Sequence, residues 1–256
     1  MLPTYVQKML DIAKELGFSK IATGHYATIR KRDGRYLLCK AKDNSKDQTY
    51  VLYCLSQEQL SCVEFPLGEL SKPQVRQIAE SKKLVNAKKK DSQDICFVPD
   101  GDYASFIEKT ANYVSNTGDY VNQKGEKLGE HKGVIRYTIG QRKGLGIALG
   151  KPTFVIDKNP ITNQVLLGDE EFLFYKKVLV ENVNFIPFDK LEKEMEVTVK
   201  LRYRHTEQPA LIKPLGDGQV LVEFYEPQRA PSPGQAAVFY DKDIVVGGGT
   251  IVKGIE

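Results

Sequence analysis

The chain has 256 residues, 41% hydrophobic and 27% charged, with 37 Lys and Arg against 33 Asp and Glu. These values describe a globular protein of one or two domains and exclude collagen, coiled coil and a disordered chain. A net charge of +4 permits a nucleic-acid partner without requiring one. No apolar run approaches the roughly 18–20 residues of a membrane span, and no basic segment leading into an apolar core marks a signal peptide. The cysteines at 39, 54, 62 and 96 form no CxxC pair, which fits reduced thiols in a cytoplasmic protein rather than a disulfide framework or zinc ribbon.

In chain order, Thr4 reads as an N-cap, followed by Val6, Met9, Leu10, Ala13 and Leu16 at helical spacing and by Gly17 as the stop. Residues 20–23 read as a short strand ending at Gly24 and His25, and helix, strand, then small-residue turn is an α/β pattern. Residues 35–40 predict another strand, whereas 48–62 fit strand and helix equally. Ser71, Pro73 and Gln74 predict a capping box opening a helix, and Asp102 predicts the cap of a helix carrying Phe106 and Ile107. From 118 to 150 glycines are dense, which predicts tight turns and a small second domain. Beyond about 176, short alternating strands predict a barrel or sandwich, and residues 196–204 read as one strand with Val197, Val199, Leu201 and Tyr203 on its apolar face.

Few residues stand out for chemistry. There is no GxxxxGK[ST] loop, and Gly144, Gly146 and Gly150 miss the dinucleotide fingerprint, so structural turns are the reading there. Gly247, Gly248 and Gly249 read as a bulge or turn. None of His25, His131 and His205 has a second ligand at metal spacing, so no metal site is expected. His25 follows a strand end, where α/β folds place ligands, but spacing leaves a satisfied loop histidine equally open. Cys39, Cys54 and Cys62 sit in apolar strings as small core hydrophobes. Cys96 follows a polar loop: Lys88, Lys89 and Lys90 favour its thiolate while Asp91 and Asp94 oppose it, and composition leaves structural and reactive roles both open. Lys200, Arg202 and Arg204, with Arg142 and Lys143, could neutralise phosphates or simply be a solvated face.

Six blocks occur in one order: Ile21-Ala-Thr-Gly-His-Tyr-Ala27, Lys46-Asp-Gln-Thr-Tyr50, Asp91-Ser-Gln-Asp-Ile-Cys-Phe97, Tyr137-Thr-Ile-Gly-Gln-Arg-Lys-Gly-Leu-Gly146, Leu201-Arg-Tyr-Arg204 and Ser232-Pro-Gly-Gln235. As a series the chain closely resembles the bacterial tRNA-specific 2-thiouridylases (MnmA/TrmU family), from about Lys8 to the C-terminus. The resemblance implies an adenine nucleotide alpha hydrolase-like α/β domain with a Rossmann-type parallel sheet, here incomplete (1–108), a small central domain (109–175) and a C-terminal antiparallel β-barrel (176–256). It implies ATP-dependent transfer of a persulfide sulfur to C2 of the wobble uridine of tRNA, with ATP a Mg-dependent co-substrate. The sulfur donor would be a cysteine desulfurase or a sulfur-relay protein, and a transient disulfide would release the sulfur.

Carried over by position, Cys96 matches the persulfide cysteine, which reverses the balance struck from composition. Gly24 matches an ATP-site residue and His25 a tRNA-contacting one. Lys46, Asp47 and Gln48 match the segment meeting tRNA near the target base, and Arg202, Tyr203 and Gln235 match further tRNA contacts. The family's SGGxDS phosphate loop and first catalytic cysteine do not occur in these 256 residues. The expectation is therefore a truncated form unable to adenylate alone, or a tRNA-binding half-enzyme completed by a separate N-terminal chain. A stand-alone RNA-binding module without sulfur chemistry is the remaining reading. An incomplete sheet predicts an exposed edge and apolar face, and hence self-association.

Overall fold

The computed structural model describes residues 2–85, 87, 98 and 102–255. These fall into two compact units: Met1–Lys89 with Lys177–Glu226 and Pro233–Ile255, and Lys90–Lys176 with Pro227–Ser232 and Glu256. Among the described residues no helix is long and apolar enough to cross a membrane.

The first unit begins with α1 (Leu2–Glu15). The helix starts before Thr4, because Pro3 sits in its first turn, where the missing amide costs nothing. It closes with Phe18 N–H donating to Ala13 O at 2.8 Å and Gly17 N–H to Lys14 O at 3.0 Å, with Gly17 at φ +81°. Val6, Leu10 and Ala13 are buried. β1 (Ile21–Ala22) pairs in parallel with β4 (Val63–Glu64), and Thr23 N–H extends the pairing to Glu64 O at 3.0 Å. β2 (Thr28–Arg32) and β3 (Arg35–Cys39) form a hairpin. The ambiguous stretch 48–62 resolves into α2 (Thr49–Leu52) and α3 (Gln57–Cys62), the latter opened by a reciprocal Ser56–Gln59 capping box. α4 (Lys72–Ser81) starts where expected, with Gln74 Oε1 accepting the Ser71 N–H at 2.8 Å.

The second unit carries α5 (Tyr103–Thr110), capped by Asp102, whose Oδ1 accepts Ser105 N–H at 3.0 Å. Its sheet, in the order β6 (Lys127–His131), β5 (Gly118–Val121), β8 (Gln164–Gly168), β7 (Phe154–Asn159), has β5 and β8 parallel and the other pairs antiparallel. Tyr120, Val155, Val165 and Leu167 form its core with Tyr137 and Leu145. His131 lies inside this core. Its Nδ1 accepts Gly133 N–H at 3.0 Å and its Nε2 faces Asn163 O at 3.1 Å, so the neutral ring with the proton on Nε2 satisfies both.

The chain then returns to the first unit through β9 (Phe174–Phe185), β10 (Met195–Lys200), β11 (Gln208–Gly216), β12 (Gln219–Arg229), β13 (Ala236–Asp241) and β14 (Ile244–Ile255). These six strands close an antiparallel barrel through the β13–β14 pairing, with Val199, Ile212, Val222, Phe224 and Phe239 inside. β3 joins the outside of β14 at Cys39 and Ile244. Val6, Leu10, Leu38, Tyr50 and Leu60 pack with Val238, Tyr240 and Val245 in one core, so the N-terminal segment and the barrel face share their apolar burial. β10 ends at Lys200, and His205 N–H turns back onto Arg202 O at 3.0 Å. Lys200, Arg202 and Arg204 are therefore not one strand face: Leu201 is buried, but Tyr203 is 43% exposed on a turn.

On α1 Tyr5 and Ile12 are exposed, as are Leu16 just past its end and, at 64%, Phe18. Burying these side chains between copies removes apolar area from water. Light scattering at high concentration is expected to show self-association, relieved by Ile12→Glu with Leu16→Glu; a monomeric parent chain would refute this. Burial also pushes the His131 imidazole below its usual range. The unfolded chain takes up a proton near pH 6.5 that folded His131 resists, so this residue lowers stability as pH falls through that range. His131→Gln should be less stable than the parent at pH 7 yet show a shallower loss between pH 7 and 5, measured by thermal melts.

Candidate functional site

The segment after β3 is shaped by its own side chains. Asp43 accepts Ser45 Oγ at 2.6 Å and the Lys72 amide at 3.0 Å, and these bonds hold its carboxyl below the usual range. Asp47 uses both carboxylate oxygens locally: Oδ1 accepts Ala41 N–H at 3.0 Å, and Oδ2 accepts the Thr49 hydroxyl at 2.5 Å. Gln48 clasps the preceding motif, its Oε1 accepting Tyr26 N–H and its own N–H donating to Tyr26 O, both at 2.9 Å. The Lys46–Gln48 turn is thus fixed against the carboxyl end of β1.

At that end, Gly24 is exposed, and a methyl group there would meet only Leu67 Cδ1 at 3.8 Å. Packing therefore does not demand glycine at this position. His25 Nδ1 lies 3.0 Å from Thr23 Oγ1, and its ring meets Phe65 edge-on at 6.3 Å. Partial burial lowers its pKa, which favours the neutral ring.

Tyr50 ties this region to the barrel loops. Its hydroxyl donates to Ala236 O at 2.9 Å, and Tyr203 packs on its ring edge-on at 6.0 Å. The Tyr203 hydroxyl reaches back to Asp47 O at 3.5 Å, a weak bond. Burial, then neighbouring Tyr53, pushes the Tyr50 hydroxyl up to about 12, with Arg202 opposing. Burial and the Asp47 charge likewise raise Tyr203, with Lys46 and Arg204 opposing, which places both cations within electrostatic reach of its hydroxyl. Gln235 precedes Ala236; its carbonyl accepts Ile251 N–H at 2.8 Å, and the residue is exposed. His205 Nδ1 is buried without a partner among the described residues, and burial with Arg202 and Lys200 keeps the ring neutral.

The structure therefore places Gly24, His25, Lys46, Asp47, Gln48, Arg202, Tyr203 and Gln235 in the first unit. Tyr50 touches Tyr203 and Ala236, the residue after Gln235, and Tyr203 in turn reaches Asp47. Cys96 lies outside the described residues. The remaining cysteines are free thiols; burial pushes the Cys39 and Cys54 thiols up, and Cys62 Sγ lies 3.3 Å from Ser61 Oγ. Among the described residues no cluster of His, Cys, Asp or Glu could hold a metal ion.

Sequence reasoning missed the support beneath this site. Lys40 Nζ lies 2.6 Å from Glu207 Oε1, donates to Lys242 O at 2.9 Å and sits 4.6 Å over the Tyr240 ring. Glu207 Oε2 accepts the Thr198 hydroxyl at 2.7 Å, and Thr49 Oγ1 lies 3.4 Å from the Tyr240 hydroxyl. The Lys40 and Glu207 side chains are only 18% and 25% exposed. The pair connects the end of β3 to the loop carrying Arg202 and Tyr203. No local pattern announces it; Tyr50, by contrast, could have been found from its place beside Lys46-Asp-Gln. Lys40→Met is expected to cost about 2–3 kcal/mol in urea unfolding, because Glu207 loses its partner in a poorly solvated position. The Lys40→Met, Glu207→Met pair should recover part of that loss; simple additivity would show that the two loops are held independently.

Three family models match along the chain: a tRNA methyl transferase HUP domain over 5–100, a tRNA methyl transferase PRC-barrel domain over 104–169 and an aminomethyltransferase beta-barrel domain over 175–251. Among curated relatives, tRNA-specific 2-thiouridylase MnmA 1 of Clostridium botulinum (strain Okra / Type B1) is 51% identical over 96% of this chain and 69% of its own length. The MnmA 1 enzyme of Thermoanaerobacter sp. (strain X514) is 52% identical over 92% of this chain and 65% of its own length.

Proposed function

The chain belongs to the tRNA-specific 2-thiouridylase family, and from that premise we propose that it binds tRNA and transfers sulfur to C2 of the wobble uridine. The observation that supports the reading is a short chain of contacts between segments distant in sequence: the Tyr203 hydroxyl reaches Asp47 O, Tyr203 packs on the Tyr50 ring, and the Tyr50 hydroxyl bonds Ala236 O, next to Gln235. Cations, an exposed aromatic ring and an exposed amide in one place are the groups that hold phosphates and address a splayed base. The target base sits in a single-stranded loop, so extruding it costs little.

In the proposed reaction the uridine O2 is adenylated at the α-phosphorus of ATP, with pyrophosphate leaving. The terminal sulfur of a Cys96 persulfide attacks C2, and the C2–O bond breaks as AMP departs with the oxygen. A second cysteine thiolate then attacks the inner Cys96 sulfur, forming a disulfide and leaving sulfur on C2; a reductant must restore both thiols. Cys39, Cys54 and Cys62 are not assigned that second role, since none lies in the family's motif. Gly24, at the carboxyl end of β1, offers the backbone surface on the nucleotide side. The phosphate loop SGGxDS does not occur in these 256 residues, so adenylation is assigned to a segment bearing it that these residues do not include.

The test combines tRNA binding with quantification of 2-thiouridine by mass spectrometry, using ATP, Mg and a persulfide donor. The chain is expected to bind tRNA alone, to thiolate it only when a polypeptide carrying SGGxDS is added, and to lose thiolation at least 100-fold in Cys96→Ser while keeping tRNA affinity. Unchanged thiolation by Cys96→Ser would remove the sulfur role. Full activity of the chain alone would remove the division of labour.

A further inference from the structure

The second unit carries a basic groove that the reaction above does not use. Two adjoining concavities, of about 400 and 310 Å³, share Leu149, Lys151 and Thr153 as a common wall. Arg142 lines the first and Lys124 the second. Lys151 is paired with Asp169, its Nζ lying 2.7 Å from Oδ1 and 2.9 Å from Oδ2. Arg142, neighbouring Lys143 and Lys124 are exposed, and none is ion-paired among the described residues. The groove thus presents uncompensated positive charge.

Its wall is fixed rather than loose. Leu145 is 8% exposed in the core, Ile147 and Leu149 pack beside it, and the Tyr120 hydroxyl donates to Leu145 O at 2.7 Å. Among and beside these anchors Gly144, Gly146 and Gly150 take φ of +75°, +71° and +71°, backbone conformations that favour glycine. Among the described residues, no intramolecular hydrogen bond takes up the amides of 142–152. Cations at the rim, amides not taken up by intramolecular bonds and an anchored backbone are complementary to a chain of phosphates.

We propose that this groove, lined by Lys124 and Arg142 with Lys143 next in sequence, is a second RNA-contact surface that holds the phosphodiester backbone of the bound tRNA. The proposal rests on the tRNA reading above. It assigns these residues to sequence-independent positioning, not to the chemistry at the base. A free phosphate or the phosphates of ATP share the same chemistry, and the experiment separates them from the polynucleotide.

The test compares the parent chain with Lys124→Gln, Arg142→Gln, Lys143→Gln by filter binding of tRNA from 50 to 300 mM salt. The triple variant is expected to bind about tenfold or more weakly at low salt, with the slope of log affinity against log salt smaller by about two to three. Lys124→Arg, Arg142→Lys, Lys143→Arg should retain parental affinity, which separates charge from structure, and thermal melts should coincide. Parental affinity and slope in the Gln variant overturn the groove proposal alone. If the parent binds no tRNA, the functional reading fails and the groove assignment with it. Protection of parental tRNA binding against 10 mM inorganic phosphate or ATP supports a polynucleotide ligand; full competition by either identifies a small-anion site and overturns the proposal.

Discussion

Barrel closure at β14 is the constraint on which the first unit depends. Gly247, Gly248 and Gly249 lie where β14 is paired on both sides, with β13 and with β9, and where the register shifts on each. A methyl group on Gly248 would stand 2.7 Å from both Ala237 O and the Tyr53 ring, and one on Gly249 would stand 2.5 Å from Glu181 O. Side chains there would force the neighbouring strands apart, so bare backbone is a condition of closing the sheet. The same glycine that lets the barrel close also seats Tyr53. Asn184 of β9 then holds that segment, its Nδ2 donating to Tyr53 O at 2.7 Å and Leu55 O at 3.1 Å. The position of α2, and through it of Lys46–Gln48, follows from the closure.

Within the candidate site, the polar side chains divide between shaping and presenting. Both Asp47 oxygens and Gln48 Oε1 are taken up by nearby backbone and hydroxyl groups, so these residues act first by fixing the turn. Tyr203 and Gln235 are exposed, and are the groups offered outward. Tyr50 between them is buried, and its hydroxyl stays protonated throughout the physiological range, which preserves its bond to Ala236. The site is therefore a preformed surface whose shape does not change with pH near neutrality through this residue.

The parts legible in sequence are those fixed by local chemistry. Ser71 with Gln74, Asp102 with Ser105, and the hairpin strand at 35–39 follow from caps and alternation within a few residues. Reading 196–204 as one strand failed because apolar alternation continues through Leu201 and Tyr203 after the ladder has ended. Leu201 is buried by the core, but Tyr203 is held by Tyr50, a contact no periodicity encodes. Gln48–Cys62 was ambiguous because two helices of only four and six residues carry too little periodicity to declare themselves. Lys40 and Glu207 were invisible for the plainest reason, a separation in sequence that only the folded barrel bridges.

That separation also explains why the order of the motifs carried more than any one of them. Lys46-Asp-Gln is three polar residues, and Leu201-Arg-Tyr-Arg is four residues with two cations; neither by itself specifies a ligand. They become one site because β3 attaches to β14 at Cys39 and Ile244, and because the Lys40 amide continues that edge to Asp243 O at 2.8 Å. The pairing brings the N-terminal segment onto the barrel and lets Val6, Leu38 and Tyr50 share a core with Val238 and Tyr240. Once that core forms, the turn at 46–48 and the turn at 202–205 are held from the same buried side. The order of the blocks at 21–27, 46–50, 201–204 and 232–235 is thus the linear trace of one non-local packing solution within the first unit, which is why these blocks can be read together when none can be read alone.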